Sequence, residues 1–274
     1  KADDPLLRQV LPIAEEKVIK DGFIADPLGE TDTQLALQRA PGLLQKYAGR
    51  ALLLTTPACA INCRYCFRRH FPYAGHRPKD QSLALTTLAK DESIHEIILS
   101  GGDPLLLDER QLGKLLEQIS AIKHIKRIRF HSRIPIVLPE RVSTDLISLL
   151  GQVDQQIVMV VHCNHAQELD ATTARALLAL RQVGVSTLNQ TVLLKGINDS
   201  AQTLGDLSER LFEQGVLPYY LHMPDKVAGT HHFYIDDATA LPIYRDLQKR
   251  LSGYLVPRLV RERPGGYAKE LVTA

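Results

Sequence analysis

The sequence predicts an α/β fold on a parallel sheet, either a barrel or a doubly wound sheet, with a partial (β/α)6 barrel preferred on its strand count, and three observations carry the parallel sheet. Short runs rich in Val, Ile and Leu alternate with longer stretches of helical periodicity. Those runs are apolar almost throughout, the pattern of strands covered on both faces, as parallel strands are. Each run also ends in polar or chemically active residues, and the C-terminal ends of parallel strands share one face.

Residues 1–49 read as an irregular arm with short helices, punctuated by Gly22, Pro27 and Pro41 and packed across the main body. The sequence opens on Lys1 rather than methionine, so the arm is expected to be truncated at its start. From Arg50 the pattern changes. Residues 50–55 form a first strand, followed by 96–100, 127–131, 156–162, 186–194 and 217–222. Helical periodicity covers 110–119, 144–150, 171–183, 201–214 and 237–251. Six strands suit a partial barrel better than a closed eight-stranded one. The parts are then an arm (1–49), a barrel (50–255) and a C-terminal tail (256–274).

Composition narrows the function. With 274 residues, 45% of them hydrophobic, the chain can bury a sizeable core. A net charge of +2, from 33 basic and 31 acidic residues, gives no reason to expect nucleic acid as a partner. No apolar run approaches a membrane span and no signal peptide opens the sequence, so no membrane partner is expected. Three of the four cysteines cluster without evident disulfide partners, which suits a reducing, cytoplasmic compartment.

The cluster is Cys59-Ala60-Ile61-Asn62-Cys63-Arg64-Tyr65-Cys66, spaced C-x3-C-x2-C at the end of the first strand. Three thiolates this close can converge on one inorganic centre. A structural zinc or an ordinary four-iron cluster takes four protein ligands, and this loop supplies three. Two readings of the spacing stay open: a zinc knuckle that borrows Cys163 or a histidine, and a [4Fe–4S] cube whose fourth iron takes a non-protein ligand. Cys163 by itself reads as a small buried residue, and His162 equally as a core histidine or a site residue.

The other strand ends carry Ser100-Gly101-Gly102-Asp103, His131-Ser132-Arg133, His162-Cys163-Asn164-His165, Asn189-Gln190 and His222-Met223-Pro224-Asp225. Paired glycines let backbone approach a ligand closely. One polar strand end is a solvated end; six on one face mark a site.

The cysteine spacing resembles the signature of radical S-adenosylmethionine (radical SAM) enzymes. Further motifs make the resemblance specific: Arg68-Arg69-His70-Phe71 after the cysteines, the run from Leu188-Asn189-Gln190 to Asn198-Asp199, Tyr219-Tyr220 with Asp225, His232-Phe233, and Pro264-Gly265-Gly266 before Lys269. In order, and over nearly the whole chain, these resemble the lysine 2,3-aminomutase family. Within it the chain is most similar to the short proteobacterial (EpmB-type) form, which makes β-lysine for elongation factor P. The sequence stops soon after Lys269, without the long form's C-terminal extension, and Cys163 alone does not supply that form's extra cysteine zinc site.

The resemblance implies a partial barrel of radical SAM type with a C-terminal lysine tail. It implies an isomerase that converts L-α-lysine to β-lysine by a 1,2-amino shift, using a [4Fe–4S] cluster, SAM and pyridoxal 5′-phosphate (PLP). Cys59, Cys63 and Cys66 would hold the cluster, and Ser100, Gly101, Gly102 and Asp103 would meet SAM. Lys269 would anchor PLP, with Lys46, Tyr47 and Arg50 beside it and Arg50 on the phosphate. Tyr267 and Ala268 stand where the long form has glycines. His131, Arg133, Asn164, His165 and Gln190 would contact SAM or PLP. Arg68 would fork the substrate carboxylate, while Asp225 and Glu262 would hold its distal ammonium. The long form has aspartate at both acidic positions.

Two acids in one pocket favour a cationic substrate and disfavour glutamate. L-Lysine is therefore the expected small-molecule partner, with flavodoxin or ferredoxin as reductant and a functional link to elongation factor P and its ligase; a homo-oligomer is left open. The alternatives are an aminomutase acting on another cationic amino acid such as arginine, and a non-catalytic zinc scaffold for a translation factor. Metal content separates the last from the enzyme, about one zinc against about four irons per chain.

Overall fold

The computed structural model describes residues 3–273 apart from 33, 36 and 77–79. All six expected strands form, as β3 (Arg50–Thr56), β4 (Glu96–Gly101), β5 (Arg127–Ser132), β6 (Gln156–Val161), β7 (Ser186–Val192) and β8 (Leu217–His222). Each pairs in parallel with the next. The strands stand in sequence order and the two edges of the sheet do not pair, so the barrel stays open.

The sheet is longer than the apolar runs indicate. In the arm, β1 (Gln38–Ala40) and β2 (Leu43–Tyr47) form an antiparallel hairpin that pairs with β3. Gly42 supplies the positive φ of its turn (φ 80). β1 is an edge strand with two of its three residues exposed, so it carries no continuous apolar signal. In the tail, β9 (Arg258–Arg261) adds a parallel strand beside β8, and β10 (Glu270–Leu271) folds back antiparallel on β9. Arm and tail thus complete the sheet from its two sides.

Two short helices, α1 (Pro5–Arg8) and α2 (Tyr73–His76), precede the crossovers. The crossovers are α3 (Ser82–Lys90), α4 (Glu109–Ser120), α5 (Ile134–Val137) with α6 (Thr144–Gly151), α7 (Ala171–Gln182), α8 (Ala201–Glu213) and α9 (Asp237–Arg250). Their starts follow from side-chain caps: Asp108, Ser143, Asp170, Ser200 and Asp236 each accept a first-turn backbone N–H. α3 lies outside the predicted helices because its apolar stripe, Ala84, Leu85 and Leu88, is short and shares the helix with a Thr-Thr pair. Strand residues facing the helices build the main core, with Leu53, Ile97, Leu99, Ile128, Phe130 and Met159 all shielded from solvent.

The arm is pinned by Gln9, which has no exposed surface. Its side-chain oxygen accepts from Arg133 Nη2 (2.7 Å) and Asn164 Nδ2 (2.9 Å), and its Nε2 donates to Glu168 Oε1 (3.2 Å).

At the end of β4, Gly101 takes φ 116, and a Cβ on Gly102 would fall 2.1 Å from the carbonyl oxygen of Ala58. The Gly102 N–H donates to Thr56 O at 2.6 Å and the Asp103 N–H to Ala58 O at 2.8 Å. The glycine pair therefore brings β4 against the backbone that launches the cysteine loop. Gly102→Ala is expected to cost about 1–3 kcal/mol in urea unfolding, the range for overpacking. Gly253→Ala, where nothing lies within 4 Å, is expected to stay within about 0.5 kcal/mol of the parent.

Candidate active site

The inside of the open barrel is a cavity of about 330 Å³. Strand periodicity explains why it is polar. Side chains alternate across a strand, so Ile128 and Phe130 of β5 face the helices while Arg129 and His131 face inward. Ile98 and Ser100 of β4, Gln190 and Val192 of β7, and Tyr220 and His222 of β8 line the cavity in the same way. Lys46, Tyr47 and Arg50 enter from the β2–β3 side, and Cys63, Cys66 and Arg68 from the loop after β3. Gly101 and Arg133 line it beyond the ends of β4 and β5, and Asp225, Glu262 and Lys269 come from beside the ends of β8, β9 and β10.

Charges inside this cavity alternate in sign. The Arg68 guanidinium donates to both oxygens of Glu30, from Nε (2.6 Å) and Nη2 (2.7 Å), and from Nη1 to Ser100 Oγ (3.1 Å). Lys46 Nζ lies 3.1 Å from Glu30 Oε1 and 2.8 Å from Glu262 Oε1. Lys269 Nζ donates to Glu262 Oε2 at 2.6 Å. Arg68, Glu30, Lys46, Glu262 and Lys269 thus form one continuous chain of ion pairs. Burial alone would raise the pKa of Glu30, but Arg68 and Lys46 outweigh it and hold the carboxyl below its usual range. Lys269 and Lys46 do the same for Glu262.

Asp225 stands apart. Among the described residues its carboxylate has no hydrogen-bond or ion-pair partner, and burial, reinforced by the charge of Glu262, pushes it up to about 7.

The cysteine loop presents an all-sulfur donor set. Burial, Asp103 and the two other thiols push Cys59 up to about 12, and burial followed by Cys63 pushes Cys66 to about 11. Arg133 Nη1 lies 2.9 Å from Cys63 Sγ, while its Nη2 pairs with Glu168 at 2.8 Å. Cys163 is packed in the main core with its thiol 3.4 Å from His165 O, so the zinc-knuckle reading loses it as a fourth ligand. Three soft sulfur donors on one loop, one of them beside a cation, suit an iron–sulfur cluster.

Three imidazoles in the cavity wall, His131, His162 and His222, each keep a buried Nε2 with no hydrogen-bond partner among the described residues. Burial lowers all three, His162 to about 3, so they are neutral polar groups. Arg50 stacks over the Tyr47 ring at 4.5 Å and has no carboxylate partner among the described residues. Orphaned nitrogens, an uncommitted arginine and a lysine in one cavity fit a polar, phosphate-bearing cofactor such as PLP.

Several residues expected to touch cofactors are placed elsewhere. Asp103 braces the loops after β4 and β5: its oxygens accept from Ser132 Oγ (2.7 Å) and from the N–H groups of Leu105 (3.1 Å), Arg133 (2.7 Å) and Ile134 (3.1 Å). Asn164 donates to Gln9 and to the Tyr65 hydroxyl (2.7 Å) and accepts from Val192 N–H (2.9 Å). His165 accepts from Gln167 N–H and caps a short turn. Cys59 and Gly102 lie on the loops outside the cavity wall. Sequence reasoning missed Glu30, Arg129 and Tyr65 as cavity residues. Alternation in Arg127-Ile128-Arg129-Phe130-His131 was the available signal for Arg129; Glu30, in the arm, offered none.

Residues 53–154 match the Radical SAM superfamily, which places the open sheet and three-cysteine loop in that class of enzyme. A solved radical SAM methyltransferase from Sphaerobacter thermophilus shares the fold, with a TM-score of 0.54 and 15% identity over 81% of this chain and 69% of that one. The L-lysine 2,3-aminomutase of Escherichia coli K12 is 51% identical over 97% of this chain and 77% of its own length. That of Haemophilus influenzae is 46% identical over 98% and 79%, and that of Clostridium subterminale 33% over 97% and 64%. The chain belongs to the lysine 2,3-aminomutase family, whose members are isomerases that use a [4Fe–4S] cluster, SAM and PLP.

The lone acid gives a test by pH. A carboxyl whose folded pKa is raised binds more protons folded than unfolded, so stability is lost as pH rises from about 4 to about 7. Asp225→Asn is expected to raise the melting temperature of the ligand-free protein at pH 8, with the gain vanishing near pH 4.

Proposed function

We propose that this chain converts L-lysine to β-lysine by a radical 1,2-amino shift. One observation carries the reading to a substrate: the cavity that holds Lys269 has an arginine at one end of its ion-pair chain and, apart from that chain, a half-buried carboxylate with no partner among the described residues. That polarity matches an amino acid with a carboxylate and a distal ammonium. The curated relatives bear the same activity in their names.

When bound, the cluster and SAM supply a hydrogen-abstracting radical, and PLP supplies the ring that stabilises the migrating nitrogen. The chain's own residues hold and orient. Cys59, Cys63 and Cys66 are the proposed cluster ligands, with Arg133 beside Cys63. Lys269 is the proposed PLP lysine and Arg50 the cation for its phosphate, with Lys46, Tyr47, Gln190 and the neutral histidines as polar walls. Ser100 and Gly101 form the proposed SAM side of the cavity. Glu30 takes the Nε–Nη2 edge of Arg68 and Ser100 Oγ accepts from Nη1, which together fix the guanidinium plane at the place proposed for the substrate carboxylate. Asp225 and Glu262 are the proposed partners of the distal ammonium. A barrel interior shielded from water protects a reactive radical.

In the same reading, flavodoxin or ferredoxin supplies the electron, the reaction runs in the cytoplasm, and β-lysine passes to elongation factor P. The resemblance to the short form of the family supports these steps. Anaerobic incubation of the reconstituted protein with L-lysine, SAM, PLP and dithionite is expected to yield β-lysine by chiral chromatography. Lys269→Ala and Cys63→Ala are each expected to abolish it. No β-lysine from protein carrying full cluster and PLP would sink free lysine as the substrate.

A further inference from the structure

Gln9 closes α1, and the local sequence sets it there. Asp4 caps the helix, accepting from the N–H groups of Leu6 and Leu7 at 2.9 Å each, and Pro5 opens it. The Gln9 side chain then uses all of its hydrogen-bonding capacity. Oε1 accepts from Arg133 Nη2 (2.7 Å) and Asn164 Nδ2 (2.9 Å), and Nε2 donates to Pro5 O (3.1 Å) and Glu168 Oε1 (3.2 Å). Its main-chain carbonyl accepts from the N–H of Arg64 (2.8 Å), the residue after Cys63.

These contacts converge on one sulfur. Arg133 Nη1 donates to Cys63 Sγ at 2.9 Å. Nη2 of the same guanidinium is held by Gln9 and by Glu168 Oε2 (2.8 Å), and its Cζ lies 5.7 Å from the centre of the Tyr65 ring. Nε has no partner among the described residues, so in this rigid, planar group the aim of Nη1 is set by what grips Nη2. Glu168 supplies the counter-charge, and its Oε1 also accepts from the N–H groups of Asn164 (2.8 Å) and His165 (3.0 Å). Gln9 adds no charge. Its amide accepts from the cation and donates to the anion at once. A carboxylate there would face Glu168, and an alkyl chain would leave Arg133 and Asn164 each a partner short.

We infer that Gln9 is a positioning residue for the iron–sulfur cluster: through Arg133 it fixes a hydrogen bond to the sulfur of Cys63 and so raises the reduction potential of the cluster. This rests on the reading of Cys63 as a cluster ligand. Hydrogen bonds to the ligand sulfurs stabilise the negative charge that reduction adds. The arm thereby bears on electron uptake, although it contributes none of the three thiolates.

The test uses the cluster-reconstituted full chain without SAM, titrated with dithionite in the presence of redox mediators and read by the EPR signal of the reduced cluster. Gln9→Met removes the amide and keeps the main-chain contact to Arg64. With iron content at the parent level, its ratio of reduced to oxidised cluster at a fixed potential is expected to fall about tenfold, which is about 59 mV for one electron. Gln9→Asn, which draws the amide back by one methylene, is expected to move the same way by less, and it serves if Gln9→Met does not load the cluster. Arg133→Met is expected to lower the potential at least as far, and adding Gln9→Met to it is expected to change nothing more, because the amide acts through the guanidinium. A residue that only anchors the arm would leave the potential alone. The parent potential in both Gln9 variants at full iron content, or the same Gln9→Met shift with and without Arg133, overturns the inference. Loss of the cluster from both Gln9 variants but not from Arg133→Met overturns it as well, since the amide would then act on the loop directly. The underlying reading fails separately: Cys63→Ala would then hold a full cluster at the parent potential, and the inference falls with it.

Discussion

Charges enclosed in a barrel must be paired, and that constraint joins parts of the chain that lie far apart in sequence. Glu30 comes from the arm, Lys46 from β2, Arg68 from the cysteine loop, and Glu262 and Lys269 from the tail hairpin. Removing one partner from a buried pair leaves an uncompensated charge, which is strongly destabilising. The ion-pair chain therefore joins the arm and the tail to the barrel. It also aims the arginine edge and the Lys269 amine into the same space.

A packed barrel fills its interior with branched apolar side chains. This one keeps Arg129, His131, Gln190, Tyr220 and His222 inside and places its apolar core between sheet and helices. The arrangement leaves buried imidazole nitrogens unpaired and one carboxylate pushed up to about 7. Unsatisfied polar groups of this kind carry a free-energy cost that a bound ligand relieves. Stability of the empty protein and affinity for its ligands are thereby set against each other at the same residues.

The fold was legible where burial on both sides produced uninterrupted apolar runs, from β3 to β8, and where caps such as Asp108 and Asp170 marked helix starts. It was not legible in β1, an exposed edge, nor in β9 and β10, which read as tail. The cysteine loop was legible by spacing, whereas Lys269 in its glycine-rich tail was legible only through family motifs. At Asp103, Asn164 and His165 residue type at a strand end does not reveal which way the following loop turns, and these side chains meet loop N–H groups and Gln9. Glu30 was invisible because a single acid in an aperiodic arm resembles a solvated charge until Arg68 is seen against it.

The central claim is that the tail hairpin delivers the PLP lysine into the barrel. Among the described residues two lysines reach the cavity, Lys46 and Lys269, and both contact Glu262. Borohydride reduction of PLP-loaded protein followed by peptide mass mapping identifies which nitrogen carries the cofactor. The account predicts the pyridoxyl mass on Lys269 and an unmodified Lys46. A pyridoxyl group on Lys46, with Lys269 untouched, would contradict it.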